Sequence, residues 1–255
     1  MKRNEEKSSR RSFLKTSVAI AGGVVATTLI KPFSGVVLAT ERPTGDKPWY
    51  GIGIDIEKCI GCGNCAIACK AENPVPPEPF YFRNWVEQYT VRNDGTVKVE
   101  SPNGGIDGFI QTVPNEEIFK SFFVPKMCNH CVKSPCTQVC PVGATYETPD
   151  GVNLVDKSYC IGCGYCIQAC PYGCRYMHPT EHVVDKCTLC YHRITKGLLP
   201  ACFEVCPTNA RIFGNLNDPN SDLVKFTKDH SVRVLKPHLN TVPKLYYNAL
   251  EEEVR

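Results

Sequence analysis

Cys59-Ile60-Gly61-Cys62-Gly63-Asn64-Cys65-Ala66-Ile67-Ala68-Cys69 and Cys160-Ile161-Gly162-Cys163-Gly164-Tyr165-Cys166-Ile167-Gln168-Ala169-Cys170 share one spacing, Cys-x2-Cys-x2-Cys-x3-Cys. Their loops differ at a single position, Asn64 against Tyr165. Two further groups lie around the second of these runs. One is Cys128-x2-Cys131-x4-Cys136-x3-Cys140, and the other is Cys187-x2-Cys190-x11-Cys202-x3-Cys206. Proline follows the last cysteine of groups two, three and four (Pro141, Pro171, Pro207), whereas group one has Lys70. The returns Pro141-Val142-Gly143-Ala144 and Pro207-Thr208-Asn209-Ala210 also look alike, so duplication of one unit is the economical explanation.

The spacing has a chemical reason. Three cysteines two residues apart make a tight loop whose thiolates and backbone N–H groups face one [4Fe–4S] cubane. The fourth sits a helical turn further on and reaches a second cluster, so such motifs work in pairs. Structural zinc uses two Cys-x2-4-Cys pairs and has no role for a third cysteine in the run. Group four alone has the spacing of a zinc ribbon, but three companion groups argue for iron. The chain of 255 residues has 17 Cys, an odd number that a pure disulfide scaffold cannot use completely. Four [4Fe–4S] clusters on sixteen cysteines are therefore expected, leaving Cys174 over.

The net charge of +3 is concentrated at one end. Residues 1–39 hold seven Lys/Arg and two acids, which leaves residues 40–255 at −2, with no basic face for nucleic acid. Ser9-Arg10-Arg11-Ser12-Phe13-Leu14-Lys15 precedes an apolar run from Thr16 to Ile30, and Val37-Leu38-Ala39 offers a peptidase site. The pattern resembles a twin-arginine signal peptide, 1–39. It implies a chain exported folded, with its clusters inside, to the periplasm or the outer face of the cytoplasmic membrane. The apolar run is too short for a span of about 20 residues, and nothing after Asn215 is apolar enough, so the mature chain has no expected membrane span.

Four such groups in this order resemble the iron–sulfur electron-transfer subunits of molybdopterin oxidoreductases, the dimethyl sulfoxide reductase family. Met127-Cys128-Asn129-His130-Cys131, Asp185-Lys186-Cys187, Leu199-Pro200-Ala201-Cys202 and Phe213–Ser221 are most similar to exported tetrathionate reductase and formate-dependent nitrite reductase iron–sulfur subunits. The resemblance implies an α+β fold of two ferredoxin-like domains, each with two clusters, one inserted in the other, with long loops. Groups one and four would build the outer domain, 48–120 and 178–235. Groups two and three would build the insert, 121–177, and 236–255 would be a C-terminal tail. It also implies four ligand sets: Cys59, Cys62, Cys65 and Cys206; Cys187, Cys190, Cys202 and Cys69; Cys128, Cys131, Cys136 and Cys170; Cys160, Cys163, Cys166 and Cys140. The partners implied are a molybdopterin-containing catalytic subunit and a polytopic quinol-reactive membrane subunit. A cytochrome-type terminal reductase, a quinone-reducing complex, or a free periplasmic polyferredoxin are the alternatives.

No nucleophile–base constellation or phosphate loop appears, and a cluster with four protein ligands moves electrons, so no catalytic residue is assigned. Cys174 reads as a buried small hydrophobe. Lys186 reads as a charge that raises a cluster's potential or is merely solvated, and His130 as a packing or hydrogen-bonding residue rather than a ligand. The 58 residues between Cys69 and Cys128 carry no ligand. There Pro74–Pro79 reads as stiff, and Asn93-Asp94-Gly95-Thr96 between Val91 and Val97 as a hairpin turn. A segment of this length is expected to form a docking surface. Gly51–Ile56 and Val152–Val155, just before two of the cysteine loops, read as strands.

Overall fold

The computed structural model describes residues 47–254, so the export signal expected over 1–39 lies outside the described residues. Tyr50–Asp55 forms β1, where Ile52 and Ile54 face the core. It lies between two strands from late in the chain. Arg211–Asn215, β9, pairs antiparallel with it, and Leu245–Asn248, β10, pairs parallel. The helix Asp222–Asp229, α6, covers one face of this sheet. A Cβ at Gly51 would lie 2.8 Å from the Leu216 side chain and 2.9 Å from that of Leu223, so only glycine lets the helix sit this close. The segment 236–255, expected as a tail, thus supplies a strand of the central sheet. Leu245 and Tyr247 are fully buried there, and Asn248 donates to Asp55.

The ligand-free segment is an ordered second sheet. Asn84–Arg92 (β2) is central, flanked antiparallel by Val97–Glu100 (β3) and Ile118–Met127 (β4). The hairpin turn falls at 93–96 as the sequence predicts, with the Thr96 N–H donating to the Asp94 carboxylate at 2.8 Å. Strand β4 runs straight into Cys128. Residues 121–127, assigned from the resemblance to an insert, therefore pair with β2, which was assigned to the outer domain.

The remaining strands are short. Thr145–Glu147 (β5) pairs with Asn153–Val155 (β6), and Arg175–Met177 (β7) with Val184–Lys186 (β8). The main core joins Ile52, Ile54, Val86, Tyr89, Val124 and Tyr247 to Val152, Leu154 and Cys174. A separate small cluster consists of Cys136, Cys166 and Val184.

Candidate iron–sulfur centres

Each first cysteine loop ends in a helix: Asn64–Glu72 (α1), Pro135–Gln138 (α2), Tyr165–Gln168 (α3) and Tyr191–Ile194 (α4) follow their groups' early cysteines or contain them. Gly63 and Gly164 precede α1 and α3 with φ of 72° and 75°, the left-handed turn that swings Cys65 and Cys166 back toward their loops. At Gly63 a Cβ would also stand 2.3 Å from the Gly105 carbonyl oxygen. The last cysteine of group four follows Ala201–Glu204 (α5) and is offered from the far side.

Two of the four expected sets line one cavity each. Cys59, Cys62 and Cys65 share a cleft of about 340 Å³ with Cys206, closed by Val86, Pro125 and Arg211. Cys128, Cys131 and Cys136 share one of about 330 Å³ with Cys170, closed by Asn129, Tyr172 and Arg175. A third gathering is wholly buried. The Asn73 amide reaches the Cys69 sulfur at 3.7 Å and the Cys190 sulfur at 3.5 Å, while Cys187 and Cys202 act electrostatically on each other and on Cys69. In the fourth, Cys160 and Cys166 are near neighbours. Cys163 is exposed and Cys140 half-buried. All seventeen thiols are free of disulfides.

Burial is graded along these sets. Cys69, Cys187, Cys190 and Cys202 are all buried, as are Cys128, Cys131 and Cys136. The gathering of Cys59, Cys62, Cys65 and Cys206 reaches the surface through exposed Cys62, and the group-three loop does so through Cys163. Cys187 and Cys128 act on each other across the buried middle. Cys170 of the third set is half-buried, so the order is open, wholly buried, mostly buried, open.

Two 4Fe–4S dicluster domain models match the chain, over residues 58–144 and 119–216. A tetrathionate reductase subunit from Salmonella typhimurium is 37% identical over 251 residues, 96% of this chain and 90% of that protein. The protein of the same name from Archaeoglobus fulgidus is 40% identical over 222 residues, 84% of this chain and 92% of its own length. Protein NrfC of Escherichia coli is 36% identical over 242 residues, 93% of this chain and 94% of that protein. The chain belongs to the 4Fe–4S dicluster family. As a dicluster iron–sulfur protein it is an electron-transfer subunit of the reductase kind and not a catalytic one.

The residues present fit [4Fe–4S] clusters. Burial pushes the Cys59 thiol up to about 11 and the Cys131 thiol up to about 12, so an iron core is what would hold such sulfurs as thiolates. Burial also raises Cys140, but the N–H groups of Thr145, Val142 and Ala144 outweigh it and bring that thiol down. Further N–H groups point at sulfur from Val184 to Cys160 and from Leu189 to Cys187. The Asn129 carboxamide lines the second cavity, is buried, and has neither its nitrogen nor its oxygen paired with protein. An unpaired amide donor in a thiol-lined cavity suits a ligand with sulfide acceptors.

The dicluster protein's leftover residues are all buried. His130 Nδ1 accepts from the Asn153 N–H at 3.1 Å, as hydrogen bonding rather than ligation predicts. Burial, then the charges of Lys186, Lys244 and Arg175, hold its pKa well below the usual range. The Lys186 ammonium is not solvated: it donates to the Cys187 carbonyl at 2.8 Å and to that of Asn153. Cys174 is buried, donates to the Met127 carbonyl at 3.1 Å, and by bonding to Cys170 brings that thiol down to about 5. Sequence reasoning missed Arg175 and Arg211, which touch the sulfurs of expected ligands Cys136, Cys65 and Cys202. The signal was present: each stands five residues after the last cysteine of its group, Cys170 and Cys206.

Proposed function

We propose that the chain holds four [4Fe–4S] clusters on the four crossed sets given above, and that it carries electrons between a quinol-reactive membrane subunit and an exported molybdopterin oxidoreductase catalytic subunit. When bound, the clusters supply one-electron redox chemistry; the protein supplies thiolates, N–H···S bonds, counter-charge and exclusion of water. The observation that carries this reading is the order of the cysteine sets, open at both ends and wholly or mostly buried between. A storage or structural centre needs no exposed end, whereas a conductor needs one at each terminus and insulation between. Cys206 in the group-one cavity and Cys170 in the group-two cavity support crossed ligation, and with it the inserted arrangement of two ferredoxin-like units.

Iron fits better than zinc. Groups one and three each carry a third cysteine in a Cys-x2-Cys-x2-Cys run, for which a zinc site of two Cys-x2-4-Cys pairs has no use. Anaerobically purified protein should contain about 16 iron and 16 acid-labile sulfide per chain. Stoichiometric zinc, or half that iron, would sink the reading.

Among the described residues no helix is long and apolar enough to cross a membrane. Contact with a quinol pool therefore runs through another protein in this proposal. Phe80, Ile110 and Phe119, among the most exposed large apolar side chains, all belong to the ligand-free segment and support a docking role for it. Export by the twin-arginine route is part of the same proposal. Arg10→Lys with Arg11→Lys should leave cluster-loaded protein in the cytoplasm, and normal export would show that this pair is incidental.

A further inference from the structure

Three buried cations lie between successive cysteine sets. Arg211, 6% exposed, donates through Nη2 to the Cys65 sulfur at 3.2 Å and through Nη1 to the Cys202 sulfur at 3.9 Å. It thereby touches the first and second sets. Arg175, 5% exposed, donates through Nη2 to the Cys136 sulfur at 2.9 Å and also acts on Cys166, which joins the third set to the fourth. Lys186, 1% exposed, holds the carbonyl of Cys187 in the second set. It also holds the carbonyl of Asn153, whose amide donates to the Cys131 carbonyl of the third set at 2.9 Å.

Among the described residues, none of the three cationic head groups has a carboxylate as a hydrogen-bond partner, although the Lys186 backbone N–H donates to the neighbouring Asp185 carboxylate at 2.8 Å. The other bonds of Arg211 go to Asn84 Oδ1 and Met127 Sδ, and the other bond of Arg175 goes to Thr145 Oγ1. The buried Arg83 and Lys126 differ, since they pair with Asp185 and Glu87. Burying a cation without a counter-ion is costly, so each position requires negative charge nearby. The thiolates of a loaded cluster on either side provide it.

We propose that Arg211, Lys186 and Arg175 are positioning residues that bridge the three gaps of the relay, each raising the reduction potentials of the two clusters flanking it. The inference rests on the four-cluster reading above. A cation within a gap stabilises the more negative, reduced state of the cluster on either side. Both neighbouring potentials rise together, so the driving force for transfer between them changes little. A charge-assisted N–H···S bond acts in the same direction.

The test measures the midpoint potentials of all four clusters by electron paramagnetic resonance in the purified full chain, with iron counted in every sample. R211Q should lower the potentials of the first and second clusters, K186M those of the second and third, and R175Q those of the third and fourth. The second cluster should therefore respond to R211Q and K186M, but not to R175Q. R211K, which keeps the charge, should recover most of the R211Q shift. Unchanged potentials at full iron content, or a uniform shift of all four, would overturn the proposal. A second measurement needs no substitution. Pulsed resonance on unmodified protein labelled with guanidinium-¹⁵N arginine should show ¹⁵N coupling in reduced spectra, and its absence would equally overturn the bridge. Iron well below about 16 in the unmodified chain would instead remove the four-cluster reading itself.

Discussion

The sheets β10–β1–β9 and β3–β2–β4 and the hairpins β5–β6 and β7–β8 all support cysteine loops, but with very different amounts of apolar protein behind them. The two sheets enclose Ile52, Ile54, Val86, Tyr89, Val124 and Tyr247, and α6 adds Leu223 and Phe226. The hairpins are three residues per strand; β5–β6 reaches the main core through Val152 and Leu154, and the other cluster beneath the hairpins is Cys136, Cys166 and Val184, two of its three members being expected ligands. Helices α2, α3, α4 and α5 have four residues each and no side-chain N-cap, whereas α6 has eight and is capped by Ser221. One region thus holds its clusters with a core, and in the other the clusters are a large share of the core.

Removing iron breaks this comparison most strongly. Anaerobic chelation should strip hydrogen-exchange protection from the amides of β5 to β8, on the order of 100-fold or more, while β2 and β4 stay protected. Equal loss in both regions would mean that the sheets depend on the clusters as much as the hairpins do. The ion pair joining the two regions comes next. Arg83 grips Asp185 at 2.9 Å with both side chains buried, and its Nη1 also donates to Asn73, which faces the Cys69 and Cys190 sulfurs. Asp185→Asn should cost about 3–5 kcal/mol because it strands a buried guanidinium. Thermal unfolding of the loaded chain measures it, and Arg83→Met combined with Asp185→Leu should recover much of the loss. A smaller effect is expected at the α6 cap, where Ser221 Oγ accepts the Val224 N–H at 3.3 Å. Ser221→Ala should cost about 1 kcal/mol, equally in loaded and iron-free protein, because that helix rests on Trp49 and Leu216 rather than on a cluster. A loss confined to the loaded form would contradict this.

The cysteine loops, the turn at 93–96 and the strands before Cys59 and Cys160 were legible because each is specified by neighbours in sequence. Strand β10 was not. Its partner β1 lies near the other end of the described chain, pairing Ile52 with Leu245, and four residues of Leu-Tyr-Tyr-Asn carry no periodicity long enough to announce a strand. Strand β4 was missed for a related reason. Its run from Ile118 to Met127 is broken in sequence by Lys120, Pro125 and Lys126, yet Lys126 is buried against Glu87 and Tyr89. Lys186 illustrates the limit of composition: a lysine beside a cysteine reads equally as a tuning charge or a solvated one until the carbonyls of Asn153 and Cys187 are seen around it.

The central claim is that the motifs are crossed, so that a cysteine of group four completes the site of group one. Electron paramagnetic resonance of Cys206→Ser and Cys187→Ser, read side by side with iron content, tests it most directly. A harder oxygen ligand should weaken the affected site, with loss of one iron or of the whole cluster. Crossed ligation predicts that the two variants lose different signals. Cys206→Ser should lose that of the Cys59–Cys62–Cys65 cluster, and Cys187→Ser that of the buried cluster with Cys69. Loss of one and the same signal in both variants would contradict the account.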